Sequence, residues 1–514
     1  MTTFGKYYKK YSRAKAEKDG LLSRLKEAYR YSLPAADVDG SMNSNFNEAP
    51  EIYDDTAVLA LQKFANKMQT QLTPAWKTWA VLEAGSDVSV DDKEEINKKL
   101  EDVTEIIFDH IHHSNFVSAS HESHMDLGIS TGALICEKGD GISSSLRFRS
   151  IPMLELIPAK SHDGTTKTCF REFLMRAHEI KELYPAAKLT QTLQQALNDN
   201  SDINITLIEG VVYDEKKNQY NHILLYKGEE TVLMDITLDS SPYIIYREQV
   251  SAGRAMGYGR ILQLLPSVIK LNALSYYEDA AVIAAATGSY TIRDDGVMNP
   301  DNIRISDPFS LVLVESNDSG NPSIRPLDTS ARFDVTDVKI KELQDKINQT
   351  MTAQSFGNIE QTPVRSATEM SIRNAEMLQN TQSAMGRLQT EFLETLLARI
   401  VYVLGEAGKI PKLRVNGKEL TIKFTSPAAR IQDAEELAAL QEFRMYMESM
   451  PPELVAAKFK IEEMPKYVAE RTGLPASMIR TKAEEEKAVA GMQQASIQGQ
   501  QAQTDASVPT QPQG

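Results

Sequence analysis

Between residues 133 and 249 the hydrophobic pattern changes period. The runs SLRFRSI, LELIPA, TLIEGVVY, HILLYK and TVLMDITL alternate apolar and polar residues. Such alternation suits strands with one face in a core. On both sides of this stretch the apolar residues recur at helical spacing. Helices are expected over 177–184 and near 189–199 inside it. The chain can therefore be neither all-helical nor all-β. It is expected to be α+β and predominantly helical, with an antiparallel region of about 115 residues set between helical ones.

On the N-terminal side, Leu21, Leu22, Leu25, Ala28 and Tyr29 mark a helix from about Ser12, closed by Pro34. Residues 37–50 read as a loop. A second helix starts at Asp54 or Asp55, a good N-cap, and carries Val58, Leu61, Phe64, Ala65, Met68 and Leu72 inward. Pro74 ends it. Trp76 and Trp79, the chain's two tryptophans, read as core anchors. A third helix is expected over Asp91–His113 and a fourth from Phe116 to about Leu127.

On the C-terminal side, Ile261, Leu264, Leu265, Val268, Ile269 and Leu271 begin a helix running to about Thr287. Residues 288–332 hold the short strands SYTIR and SLVLVE among the turn clusters DDG, NPDN and NDSGNP. Val335, Val338, Leu343, Ile347 and Met351 then mark another helix. A compact β insert thus sits between two long helices. It needs neighbours to cover Ile303, Phe309, Leu311 and Leu313. After the loop SFGNIEQTPV, Ser366 and Glu369 form a capping box. The helix behind it runs from about Ala367 to Leu404, ~57 Å at ~1.5 Å per residue. Gly386 is its candidate kink, and Gly405, Gly408 and Pro411 stop it. KLRVNGKELTIKF reads as a hairpin turning at Asn416-Gly417. Residues 429–491 read as acidic, alanine-rich helices, and 496–514 as disordered.

Charge and cysteine count narrow the function classes. The 514 residues carry 71 acidic and 56 basic side chains, a net charge of −15. That opposes tight, sequence-independent gripping of nucleic acid over the whole surface. Cys136 and Cys169 are the only cysteines, which excludes a disulfide scaffold or a Cys-rich zinc module. The N-terminus has no apolar core like that of a signal peptide, and no run is long enough to span a membrane. A soluble protein of a reducing compartment is expected. The first thirty residues oppose the global charge, with Lys6, Lys9, Lys10, Arg13, Lys15, Lys18, Arg24, Lys26 and Arg30. They read as a solvated helix face beside an acidic body, the other reading being a basic contact arm.

No catalytic motif withstands its context. Gly128-Ile129-Ser130-Thr131-Gly132 matches G-x-S-x-G, but a helix precedes the serine and a strand follows it, the reverse of a nucleophile elbow. His110, His112, His113, His121 and His124 lie close in sequence, but a metal site would need convergent carboxylates and a fixed second shell. They read as polar helix ends or subunit contacts. A P-loop is missing, and Gly253, Gly257 and Gly259 lack dinucleotide-fingerprint spacing. Asn204 and Asn348 match glycosylation acceptors that carry no meaning without a signal peptide. Neither an enzyme nor a resident metal or cofactor is expected.

Several strings in order resemble the head-to-tail connector, or portal, proteins of short-tailed bacteriophages, over roughly residues 10–445. They are YDDTAVLALQKFANKMQTQLTPAWKTWAVL, SNFVSASHESHMDLGISTGAL and CFREFLMRAHEIKELYP. PYIIYREQVSAGRAMGYGRILQLLPSVIKLNAL follows, with its Pro-x-x-x-x-Arg, Tyr-Gly-Arg and Leu-Asn pattern. SATEMSIRNAE, GRLQTEFLETLLARIVYVLGEAGKIP and TSPAARIQDAEEL complete the set.

The resemblance implies a portal-type subunit in a twelve-membered homo-oligomeric ring at one capsid vertex of the virion, assembled in the host cytoplasm. Double-stranded DNA would pass through the ring without sequence-specific contacts during packaging and ejection. Partners would be the terminase large subunit, tail adaptor and tail proteins, major capsid and scaffolding proteins, and internal core proteins, with no membrane.

In the family's order, residues 1–255 would form an α/β wing, 256–287 and 333–354 the two stem helices, and 288–332 a small β-containing clip. Residues 355–365 would be a tunnel loop, 366–425 a long kinked wing helix and hairpin, and 426–495 a helical crown before the disordered tail. DNA-facing candidates are Lys339, Lys341, Lys346, Phe356, Gly357, Asn358, Gln361 and Arg365. Arg293, Asp294, Asp295, Asp307 and Phe309 are candidate clip contacts. The lysines could equally pair with Glu342 or Asp345 on their own helix. The competing readings are a non-viral acidic helical scaffold or adaptor and, third, a hydrolase centred on Ser130.

Overall fold

The computed structural model describes residues 2–36, 51–141, 144–161, 164–198, 204–287, 290–292, 324–326, 333–353, 384–413, 415, 420–426, 439–447, 455, 458–459 and 464–472. They fall into two compact units. The first comprises residues 1–68, 118–135 and 149–392, and the second 69–117, 136–148 and 393–514. The mixed α+β character expected from the two periods is present.

The first unit is organised on a five-stranded antiparallel meander. Its strands are β4 (Leu156–Ala159), β5 (Thr168–Arg176), β6 (Asn204–Asp214), β7 (Gln219–Tyr226) and β8 (Thr231–Leu238), in that spatial order. Alternation sorts their side chains onto two faces. Leu207, Leu224 and Phe173 join Ile180, Tyr184 and Leu193 from α5 (Ile180–Leu183) and α6 (Gln191–Asn198) and the link between them. Ile208, Ile223, Leu225 and Phe170 face the other way. They pack on Phe4, Tyr7, Tyr11 and Ala14 of α1 (Thr3–Ser32). The 4, 7, 11, 14 spacing is one helix face. This helix begins nine residues earlier than the leucine spacing suggests, because its first three turns bury aromatic residues rather than leucines. Thr2 caps it, with the Gly5 N–H donating to its Oγ1 at 3.2 Å.

Helix α2 (Thr56–Leu72) opens where Asp54 Oδ1 accepts the Thr56 N–H at 2.9 Å, so the N-cap signal was sound. Helix α4 (Phe116–Ile129) runs into β2 (Thr131–Lys138), and Thr131–Ile135 pairs antiparallel with β9 (Tyr243–Arg247). Helix α7 (Arg260–Thr287) and α8 (Phe333–Ala353) are the long helices foreseen around the insert. Pro266 sits inside α7. Its missing N–H leaves the Leu262 carbonyl without the usual helical donor, and the Tyr258 hydroxyl takes that place at 3.4 Å. Of the insert, β10 (Tyr290–Ile292) pairs antiparallel with β11 (Ile324–Pro326). SLVLVE lies outside the described residues.

In the second unit, β1 (Ala80–Ala84) pairs antiparallel with β12 (Leu420–Phe424). The strand expected at 420–424 exists, while the Asn416-Gly417 turn lies outside the described residues. Helix α3 (Val90–His112) packs on β1, with the Thr104 hydroxyl accepting the Leu82 N–H at 3.2 Å and Asn97 Oδ1 accepting that of Ala84 at 2.7 Å. Residues 136–148 close a hairpin from β2 into β3 (Leu146–Ser150). Trp79 is the anchor here, 1% exposed and edge-on to Phe108 at 5.1 Å. Trp76 is 93% exposed and no anchor at all. It lies in the turn after Pro74, which carries the ring away from the packed strand. Helical residues 384–388 continue into a π turn, Gln389–Glu394, and then α9 (Thr395–Glu406). Gly386, the candidate kink, sits in regular helix three residues before the π turn, and the stretch expected as helix before residue 384 lies outside the described residues. Two further helical stretches, 439–447 and Met464–Thr472, fall in the region read as helical.

Candidate functional site: the root and tip of the long helix pair

Helices α7 and α8 run antiparallel, and their root is held by buried charge. The approach to α7 requires glycine. A Cβ on Gly257 would lie 2.3 Å from the Ser130 carbonyl oxygen, and one on Gly259 would lie 2.4 Å from Ile129 backbone atoms. This close approach delivers Arg260 to the first residue of α7, 1% exposed. Its Nε donates to Glu248 Oε1 at 3.0 Å and Oε2 at 3.2 Å. Its Nη1 donates to the Met351 carbonyl at 2.7 Å. That carbonyl belongs to the last turn of α8, where helical acceptors lack intrahelical donors and the dipole is negative. The guanidinium also lies 4.8 Å over the Phe64 ring. One side chain thus ties the start of α7 to the end of α8.

Arg247 makes a second tie. Its Nη2 donates to Glu391 Oε1 at 2.6 Å, its Nε and backbone N–H to Oε2 at 3.1 Å, and its Nη1 to the Ala255 carbonyl at 3.0 Å. Glu391 lies in the π turn. Midway along the pair, Asn272 Oδ1 accepts the Tyr53 N–H at 2.7 Å, and its Nδ2 donates to the Glu51 carbonyl at 3.2 Å. Gln344 of α8 donates to Asp54 Oδ2 at 2.8 Å. The segment before α2 is therefore strapped to both long helices.

Away from the root the pair changes character. Tyr277 is 66% exposed, Ile283 63% and Val338 60%. Glu278 and Asp337 face each other across the two helices, and their hydrogen bond and mutual repulsion hold Glu278 above the usual carboxylate range. The three lysines expected to meet DNA are all exposed on α8. Lys339 pairs with Glu342 at 2.6 Å, as the alternative reading foresaw. Lys346 donates to Ser267 Oγ at 3.0 Å, not to Asp345. Lys341 makes no ion pair among the described residues. Phe356, Gly357, Asn358, Gln361 and Arg365, and the clip set Arg293, Asp294, Asp295, Asp307 and Phe309, lie outside the described residues.

The enzyme-like motifs resolve into packing. Ser130 is buried and donates to the Gly257 carbonyl at 2.6 Å. The histidines do not converge. His121 meets Asn66 at the surface, while His124 is buried edge-on to Phe392. The Tyr246 hydroxyl donates to Ser123 Oγ, which donates to the Ala133 carbonyl. His124 Nδ1, 2.9 Å from that hydroxyl, must therefore carry the proton. Burial, with His121 nearby, pushes the His124 pKa down to about 3 and keeps the ring neutral. No cluster fit to hold a metal occurs among the described residues. None of the described helices is long and apolar enough to cross a membrane.

Sequence reasoning did not assign roles to Arg247, Arg260 or Asn272, nor to their partners Glu248 and Glu391. The signal was present, since the first three are the Arg, Tyr-Gly-Arg and Leu-Asn positions of the quoted pattern. The family described as bacteriophage head to tail connecting protein matches residues 5–479. No curated protein matches the chain.

Proposed function

The chain belongs to the bacteriophage head to tail connecting protein family, and from that premise we propose that it forms a closed twelve-membered ring through which double-stranded DNA enters and leaves the capsid. Membership makes the protein a structural component of the phage head–tail junction, a virion protein associated with capsid and tail, in a family that is not enzymatic. The ring number, the channel and the docking of terminase and tail adaptor are our reading.

One observation carries it, the contrast between the root and the tip of α7–α8. A polar root this well satisfied fixes the pair's direction, while Tyr277, Ile283 and Val338 at the tip leave apolar surface that neighbouring copies would cover. In this reading α7 and α8 are the stem, residues 1–255 the wing, and 288–332 the clip that meets terminase and adaptor. Residues 355–365 are the tunnel loop and 426–495 the crown. The net charge of −15 per chain suits a channel that repels phosphate and lets the duplex slide. Lys341, without a partner on its own chain among the described residues, is the first candidate for a transient phosphate contact, ahead of Lys339 and Lys346.

Negative-stain imaging of the purified full chain tests the reading. A ring with a central hole is the expected result, and a compact particle of one or two chains overturns it.

A further inference from the structure

The inner face of the first turns of α1 packs on the sheet, and the helix's inward cations are engaged. Lys15 pairs with Glu172, and Lys18 donates to the Leu154 carbonyl. The outer face of the first three turns is different. Lys6, Lys9, Lys10 and Arg13 are exposed, and their side chains make no ion pair among the described residues. They form a stripe at i, i+3, i+4 and i+7, uninterrupted by acid until Glu17.

Helix α3 presents the opposite stripe. Its inner face buries Leu100, Thr104, Ile107, Phe108 and Ile111. Outside lie Asp102, Glu105 and Asp109, all exposed, with Ile106 40% exposed among them. Asp102 and Glu105 have no ion-pair partner among the described residues. Asp109 meets only the exposed His113 ring at 3.3 Å. Lys99, one turn back, is taken by Glu95 at 2.8 Å.

We propose that the outer face of α1 seats on the outer face of α3 of a neighbouring copy, as a charged contact between adjacent subunits. This rests on the ring reading above. The spacings match, because Lys6 to Arg13 and Asp102 to Asp109 each span seven residues, ~10 Å of helix axis. Lys9 and Glu105 each fall three residues along. The methylene stems of the lysines would cover Ile106, as long cationic side chains do on apolar surface.

A second copy is favoured over nucleic acid by economy of charge. The chain carries an unsatisfied cationic stripe and an unsatisfied anionic one. A heterologous contact between copies answers both at once and can close a ring. DNA would answer only the first.

The test reverses one stripe at a time in the full chain and reads ring content by native mass spectrometry. Lys6→Glu with Lys9→Glu, and separately Asp102→Lys with Glu105→Lys, should each lower the ring fraction about tenfold or more, since like charges then face each other across the contact. All four substitutions together should restore it. Circular dichroism of every variant, and melting of the dissociated chain, should match the parent, because the positions are exposed. Parent rings unaffected by either reversal, or a folded fourfold variant that fails to recover, overturn the contact while leaving the ring reading standing. Intact rings with weakened binding of a duplex DNA probe assign the basic stripe to nucleic acid and overturn it too. A parent chain that forms no ring overturns the ring reading and this contact with it.

Discussion

The five-stranded meander and the α7–α8 pair deal with their surroundings in opposite ways. The meander completes itself. Both faces are covered from within the chain, by α1 on one side and α5, α6 and their link on the other. Even its buried charge is answered locally. Burial alone would raise Glu209, but the His222 Nε2–H donating to Oε1 at 2.8 Å, with Arg171 nearby, holds its pKa at about 2. The long pair completes itself only at its root. There Arg260, Glu248 and the end of α8 form one closed polar group, and the tip is left to company. On the ring reading proposed above, a subunit needs a part that folds alone and a part that waits, and the boundary between them would run along α7 near Ser275, beyond which exposed tyrosines begin.

That contrast can be broken from the root first. Arg260→Ala leaves Glu248 buried without its cation and the Met351 carbonyl without its donor. It should cost about 3–5 kcal/mol of stability in chemical denaturation, and a loss under ~1 kcal/mol would mean the root is not the anchor. In the meander, Phe170→Ala should cost a comparable ~3–5 kcal/mol by emptying a fully buried ring site, with ring formation following stability alone. At the tip, Tyr277→Ser should change the melting of the dissociated chain by less than about 0.5 kcal/mol, yet abolish ring particles in negative stain. An equal loss of stability at root and tip would erase the distinction.

A smaller effect sharpens the picture within the first unit. Asp126 is fully buried, and burial lifts its pKa to about 7 against hydrogen bonds from the Tyr29 hydroxyl at 2.6 Å and the Met153 N–H that pull it down. A carboxyl raised in the folded state binds its proton more tightly there than in the unfolded chain. Its contribution is full below about pH 4 and is lost as pH rises to about 7. Glu209 acts in the reverse sense, contributing above its ordinary range and losing that contribution as pH falls toward 2. Asp126→Asn should flatten the fall in stability between pH 4 and 7 seen in denaturant titrations, and an unchanged slope would rule out Asp126 as its source. Smallest of all, Lys339→Ala removes an exposed pair with Glu342 and should leave the denaturation midpoint unchanged.

Much of this was legible in the sequence, and the misses share a cause. Periodicity located the helices and strands because one face of each meets a core, as the 4, 7, 11, 14 spacing of α1 and the Leu207/Ile208 alternation show. The same local rule saw no difference between Trp76 and Trp79, since which one enters the core depends on a strand paired from far down the chain. It placed the serine and histidines outside catalysis by context; Ser130 and His124 are packed in the interior, while His113 and His121 lie at the surface. It left Arg247 and Arg260 without roles, because an arginine in a sequence reads as surface until its buried partners are known. Glu248 is adjacent, but Glu391 and the Met351 carbonyl are supplied by distant segments. The DNA-facing lysines were read from their charge and their place in the family's order, and the partners of Lys339 and Lys346 lie on α8 and α7.

The pairing of β1 with β12 also sets a schedule. The Thr425 hydroxyl donates to the Thr78 carbonyl across 347 residues of sequence. A ribosome adding about 5–20 residues per second needs roughly 17–70 s to make the chain between them. Through that interval the hydrogen-bonding edge of β1 that β12 will take has no native strand to meet, the kind of exposed edge that recruits foreign strands. Newly made chains are therefore most vulnerable before residue 424 emerges. Truncations that stop short of β12 should accumulate as aggregates even where the meander is already intact.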